Sequence, residues 1–138
     1  MCLKYIILIL VLFVVIDLPM IANINKDMYQ KQFNRINNGP METNTTTLFS
    51  AVICYFLLAF GTYYFIVKPG LDKNSNNFEI LTNGMLLGLI IYGVYNSTNK
   101  TTINKFGINE SIIDTLWGTT LSGIVAVLSV LIIKNYIK

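Results

Sequence analysis

The sequence predicts an all-α fold, an integral membrane bundle of four transmembrane helices with both termini on the same side. Three observations carry this reading. Of 138 residues, 54% are hydrophobic and only 12% charged, and the mean hydropathy is +0.58. A soluble domain carries about 25% charged residues, and so small a globule exposes too much surface for half that charge to cover. Four apolar stretches reach or approach the about 20 residues needed to cross about 30 Å of hydrocarbon. Their apolarity is nearly all-round, so lipid must bury them, and lipid forces each backbone polar group to pair within its own helix.

The first span runs from about Leu3 to Ile24, with an unbroken apolar core from Tyr5 to Ile16. Its start also has the layout of a secretory signal. Met20 and Ala22 make a poor cleavage site, however, and Asp17 and Pro19 sit awkwardly before it, so the segment reads as a retained helix. The connection Asn25–Thr46 is long enough for a short interfacial helix. Met28, Tyr29, Phe33 and Ile36 would form its apolar face, with Lys31 and Arg35 turned to headgroups or water.

The second span covers about Thr47–Val67 and meets a stop signal in Lys68-Pro69-Gly70. The third, about Phe78–Thr98, is the most polar, holding Thr82, Asn83 and Asn96; the fourth, about Ile112–Ile133, closes at Lys134. No repeat or boundary divides the chain, so residues 1–138 read as a single transmembrane domain.

Charge does not orient the bundle. The side with both termini carries Lys4, Lys68, Lys73, Lys134 and Lys138. The other side carries Lys26, Lys31, Arg35, Lys100 and Lys105, an even split under the positive-inside rule. Asn44-Thr45-Thr46, Asn99-Lys100-Thr101 and Asn109-Glu110-Ser111 match the N-glycosylation pattern on that second side, as an Asn-rich chain does by chance.

Several functions are disfavoured. Histidine is absent, which removes His general acid/base catalysis, His-paired nucleophiles and His-ligated metals. Cys2 and Cys54 form no framework, and Cys54 reads as a small hydrophobe. No basic run with interleaved aromatics points to nucleic acid. No cofactor or metal is expected, and an enzyme is the least favoured reading, since only carboxylates and tyrosines could do chemistry. Ile, Asn and Lys occur 20, 15 and 9 times against a single Arg, the codon bias of an AT-rich genome such as a parasite, an AT-rich bacterium or a large DNA virus carries.

The acidic residues narrow the question. Asp27, Glu42, Asp72, Glu79 and Glu110 fall in loops or at helix ends. Asp17 and Asp114 fall within spans, where a charge costs roughly 2.5–3.5 kcal/mol at the helix centre. Asp17 lies about 10 Å below the end of its helix at the standard rise, and must be protonated or well hydrogen-bonded. Asp114 enters the fourth helix from the same side. Tyr92, Tyr95, Asn96 and Asn99 share spacing i, i+3, i+4, i+7 on the third helix, and Ser50, Cys54 and Tyr55 approach on the second. One half of the bundle thus collects Asp17, Tyr55, Tyr92, Tyr95, Asn96, Asn99 and Asp114 as a candidate polar pocket. Gly84 and Gly88 continue the Tyr92–Asn96 stripe, and Gly118, Ser122 and Ala126 continue from Asp114. Small residues at this spacing let helix backbones approach, so these faces are expected to meet.

These residues resemble a family of small membrane proteins catalogued as domain of unknown function 2177. Asp17 ends the first helix as in that family, and Tyr55, Phe65 and Pro69 fit its next block. Tyr92-Gly93-Val94-Tyr95-Asn96-Ser97-Thr98-Asn99 is similar to its Tyr-Gly-Thr-Tyr-Asp-Leu-Thr-Asn signature, and Asp114-Thr115-Leu116-Trp117-Gly118 to its Asp-x-x-Trp-Gly signature. Asn96 stands where the family usually carries Asp, and Met20 where Trp is expected. The resemblance implies a four-helix membrane protein and supplies no reaction.

The leading expectation is a membrane protein holding a small polar ligand or lipid headgroup between Asp17, Asn96, Asn99 and Asp114, with Trp117 as a wall. A structural membrane protein of a virion or organelle, and a proton or ion pathway built on the two carboxylates, are the alternatives.

Overall fold

The computed structural model of the chain describes residues 2–40 and 43–137, the side chain of Ile137 excepted. Glu42 and Lys138, placed above in a loop and at a chain end, lie outside the described residues. Among the described residues there are helices and no strands. Four helices are long and apolar enough to cross a membrane: α1 (Cys2–Ile24), α3 (Thr45–Asp72), α4 (Asn77–Thr102) and α5 (Ile108–Tyr136). The short α2 (Lys26–Asn37) lies between α1 and α3.

The inward faces follow helical spacing. On α1 the buried residues are Ile6, Ile9, Phe13 and Asp17, a single stripe at intervals of three and four. Leu3, Ile7, Val11, Val15 and Leu18 run down the opposite side and are exposed. An outward row of large aliphatics on every span is far more apolar surface than water tolerates, and the hydrocarbon of a bilayer is the solvent that suits it. α5 is the central helix, packed against α1, α2, α4 and the end of α3. Its inward residues Leu121, Val125 and Val130 are fully buried beside Ile9, Phe13 and Ala59.

α4 and α5 make the closest contact. A Cβ on Gly84 would lie 2.9 Å from the Ala126 Cβ and the Ser122 carbonyl oxygen. One on Gly88 would lie 2.6 Å from the Gly118 carbonyl oxygen and 2.7 Å from the Ser122 Cβ. Glycine at these two positions is what permits backbone-to-backbone approach.

Four boundaries differ from expectation, one of them at Lys134, which does not close its helix: α5 runs on to Tyr136. Lys68-Pro69-Gly70 does not stop its helix, which continues to Asp72. The turn before it is wound wider, with the Lys68 amide bonding the Tyr63 carbonyl five residues back. This π-type turn absorbs the bond that Pro69 cannot donate. A second wide turn covers Met20–Ile24 directly after Pro19, with the Asn25 amide meeting the Met20 carbonyl at 2.9 Å. α4 and α5 also extend beyond their apolar cores to Thr102 and back to Ile108, since polar residues at a helix end cost little near an interface. Asn44 and Asn76 cap α3 and α4, their side chains accepting from the Thr47 and Glu79 amides at 2.9 Å each.

Candidate functional site

Asp17 is the last member of the buried α1 stripe, so helical periodicity alone aims it into the bundle; it is 6% exposed. Both of its carboxyl oxygens accept a hydrogen bond. The Tyr55 hydroxyl of α3 donates to Oδ2 at 2.8 Å, and the Trp117 indole Nε1 of α5 donates to Oδ1 at 2.8 Å. One carboxyl group therefore joins three spans. Trp117, expected as a wall, is a donor.

Asp114 forms a second junction. The Tyr29 hydroxyl of α2 donates to Oδ1 at 2.7 Å, and Asn96 Nδ2 of α4 donates to Oδ2 at 2.7 Å. The same Asn96 nitrogen lies 3.0 Å from the Tyr92 carbonyl oxygen and 3.2 Å from Thr115 Oγ1. Asn96 is 4% exposed, and at the position where the resemblance expects Asp it supplies an N–H that Asp114 accepts. The Tyr92 ring lies directly over Gly118, where any Cβ would overlap it. Tyr92 is within electrostatic range of both Asp17 and Asp114, as is Tyr29. Burial, and then the Asp114 carboxylate, push the Tyr29 hydroxyl well above the ordinary tyrosine range, so it stays a protonated donor.

The expected four-residue face on α4 is only partly inward. Tyr92 and Asn96 turn in, Asn99 is half-buried, and Tyr95 is 57% exposed. A face spanning i to i+7 is wider than the contact with α5, and Tyr95 falls on its outer edge. Ser50 and Cys54 are also exposed, off the stripe that carries Tyr55. The packing residues Gly84, Gly88, Gly118 and Ser122 are all buried in the α4–α5 seam.

Tyr29 was missed as a site residue. Its sequence signal was the amphipathic face of α2, on which Met28, Tyr29, Phe33 and Ile36 are half-buried and Gln32 is buried, while Lys31 and Arg35 are exposed. Nothing in that pattern says that the face lies over Asp114. A second tie, from Arg35 to Glu110 at 2.6 Å, fixes the far end of α2 against the first turn of α5.

Membrane-length apolar helices tied together by one buried and one half-buried carboxyl group define a multi-pass integral membrane protein, embedded in a lipid bilayer. Residues 2–131 match the profile of a family described as Predicted membrane protein (DUF2177), and the chain belongs to that family. Searches of curated proteins and of solved structures found no significant match.

Proposed function

We propose that the Asp17–Asp114 cluster is a binding site in one leaflet for a small polar ligand or lipid headgroup that brings N–H donors or positive charge. The observation that carries this is a mismatch of charge. Each carboxyl group is met by two neutral donors. The two ion pairs among the described residues, Arg35–Glu110 and Lys68–Asp72, leave both groups without a cation. A buried carboxylate is usually paired with a positive group, and each oxygen can accept more than one hydrogen bond. Tyr29, Tyr55, Tyr92 and Trp117 around the two acids suit an ammonium group, which aromatic faces attract.

An antiparallel four-span arrangement, with both termini on one side, supports a site that opens to the other side only. Cys2 Sγ accepts from the Tyr63 hydroxyl within α3 at 3.4 Å, and Lys134 Nζ donates to Asn74 Oδ1 in the α3–α4 connection at 2.8 Å, contacts in keeping with that arrangement.

The test is retention of phosphatidylethanolamine against phosphatidylcholine by the detergent-purified protein, read by native mass spectrometry. Asp17→Asn and Asp114→Asn should each abolish a preference for the primary amine while the protein still inserts and folds. Wild-type binding in both variants, with only stability reduced, would make the cluster a structural clamp between helices.

A further inference from the structure

Two concavities on the described surface border on one another. The first, about 510 Å³, lies at the α4–α5 connection and is lined by Arg35, Lys100, Lys105 and Glu110 among others. The second, about 470 Å³, follows the α4–α5 seam past Gly93, Ser97, Ile112 and Leu116. Lys100 and Ile108 line both, so the basic cleft adjoins the groove below it. From Lys100 to Gly93 the helix falls about 10 Å at the standard rise. A charged upper chamber above a mostly apolar lower one has the shape and polarity of an amphiphile.

We infer that this cleft and groove together bind a phospholipid with an anionic headgroup, its phosphate and head at Lys100 and Lys105 and an acyl chain along Gly93, Ile112 and Leu116. Charge complementarity selects the headgroup. Glu110 is taken by Arg35 at 2.6 Å, which leaves the two lysines as the net charge of the cleft. Lys100 Nζ is held in place by donating to the Phe106 carbonyl oxygen at 2.8 Å, and an ammonium has further N–H groups to offer an anion. Basic pockets between spans at the membrane surface suit anionic lipid heads in this way. The lower chamber selects lipid over a soluble phosphate. Ile112 and Leu116 are 54% and 63% exposed and present wide apolar surface there. Gly93 has no atom within 4 Å of where a Cβ would stand, so its missing side chain widens the groove instead of serving helix contact. The groove borders the carboxylate cluster, since Asn96 and Thr115 of the Asp114 junction also line its lower chamber, but it calls for the opposite ligand charge.

The experiment is native mass spectrometry of the full chain in detergent with added phosphatidylglycerol or phosphatidylcholine. Phosphatidylglycerol should be retained over phosphatidylcholine by about five-fold for each lysine engaged. Lys105→Gln should reduce that preference by about five-fold, and Gly93→Leu should lower retention of both lipids while the thermal transition in detergent stays that of the parent. Asp17→Asn should leave phosphatidylglycerol retention unchanged, which separates this site from the amine site. Equal retention of the two lipids, an unaltered preference in Lys105→Gln, or undiminished retention of both lipids in Gly93→Leu would overturn the proposal. Displacement of the lipid by millimolar inorganic phosphate would overturn the acyl-chain half of it, leaving an anion cleft.

Discussion

Between Gly84 and Ala126, α4 and α5 touch backbone to backbone, with a carbonyl and a methyl within 2.9 Å of the missing Cβ. A little over three turns along the same pair of helices, Asn96 and Asp114 meet through side chains at 2.7 Å, and Tyr29, Tyr55 and Trp117 reach in from α2, α3 and α5. In lipid, burying apolar surface does not favour one helix neighbour over another, so association must come from close packing or from polar bonds. This bundle uses the two in different halves. The packed half fixes distance. The polar half fixes which helices meet, because each carboxyl group accepts only from donors at particular heights. Gly118 belongs to both, since its carbonyl faces Gly88 and its missing Cβ admits the Tyr92 ring.

The largest effect should come from breaking the packed half. In Gly88→Leu the new Cβ would meet the Gly118 carbonyl oxygen and Ser122, the former a rigid backbone atom. The α4–α5 axes must separate, and the Asn96–Asp114 bond further along the same seam must stretch. A loss of about 3 kcal/mol is expected, read as a shift in the unfolding midpoint in detergent. Stability within about 0.5 kcal/mol of the parent would show that the backbone approach carries little of the association.

A smaller, pH-dependent effect is expected in the polar half. Asn96→Asp would replace the donor to Asp114 with a second carboxyl group at hydrogen-bond distance. Two carboxylates at that separation repel one another unless a proton is shared between them. The variant should therefore match the parent in acid, where the pair holds its proton, and be less stable than the parent by about 2 kcal/mol at neutrality, where the shared proton is more easily lost. Unfolding midpoints of parent and variant measured from pH 4 to 8 check this. A difference that does not change with pH would mean that the two groups do not face one another in the membrane-embedded protein.

The two halves also differ in how well the sequence foretold them. The spans were legible because hydropathy over about 20 residues is the physical requirement itself. Asp17, Tyr55, Asn96 and Asp114 could be grouped from depth alone, since rise per residue converts position into height. Height does not give rotation about the helix axis, and so Tyr95 was included although it faces outward. Nor does it give the path of a connection. Tyr29 sits 85 residues from Asp114 in a segment outside the spans, and only the fold-back of α2 brings them together. Pro69 misled for a different reason. A stop signal is a statement about one missing hydrogen bond, and a widened turn at 63–67 compensated for it.

The smallest effect sharpens the comparison most. Ser122 lies in the packed half, 2% exposed, and its hydroxyl has no hydrogen-bond partner among the described residues. Ser129, two turns on, shows the ordinary alternative, its hydroxyl donating to the Val125 carbonyl oxygen at 2.6 Å. If the seam is held by shape, Ser122 is present for its size and its hydroxyl is a burden, since an unmet buried donor costs about 1–3 kcal/mol. Alanine keeps the Cβ that touches Gly88 and removes only that oxygen. Ser122→Ala should therefore leave the bundle as stable as the parent or raise it by up to about 1 kcal/mol, whereas Ser129→Ala should cost about 0.5 kcal/mol. The unfolding midpoints of the two variants in one detergent decide it. A loss in Ser122→Ala larger than in Ser129→Ala would mean that the hydroxyl bonds across the seam, and that the packed half depends on polar contacts as the carboxylate half does.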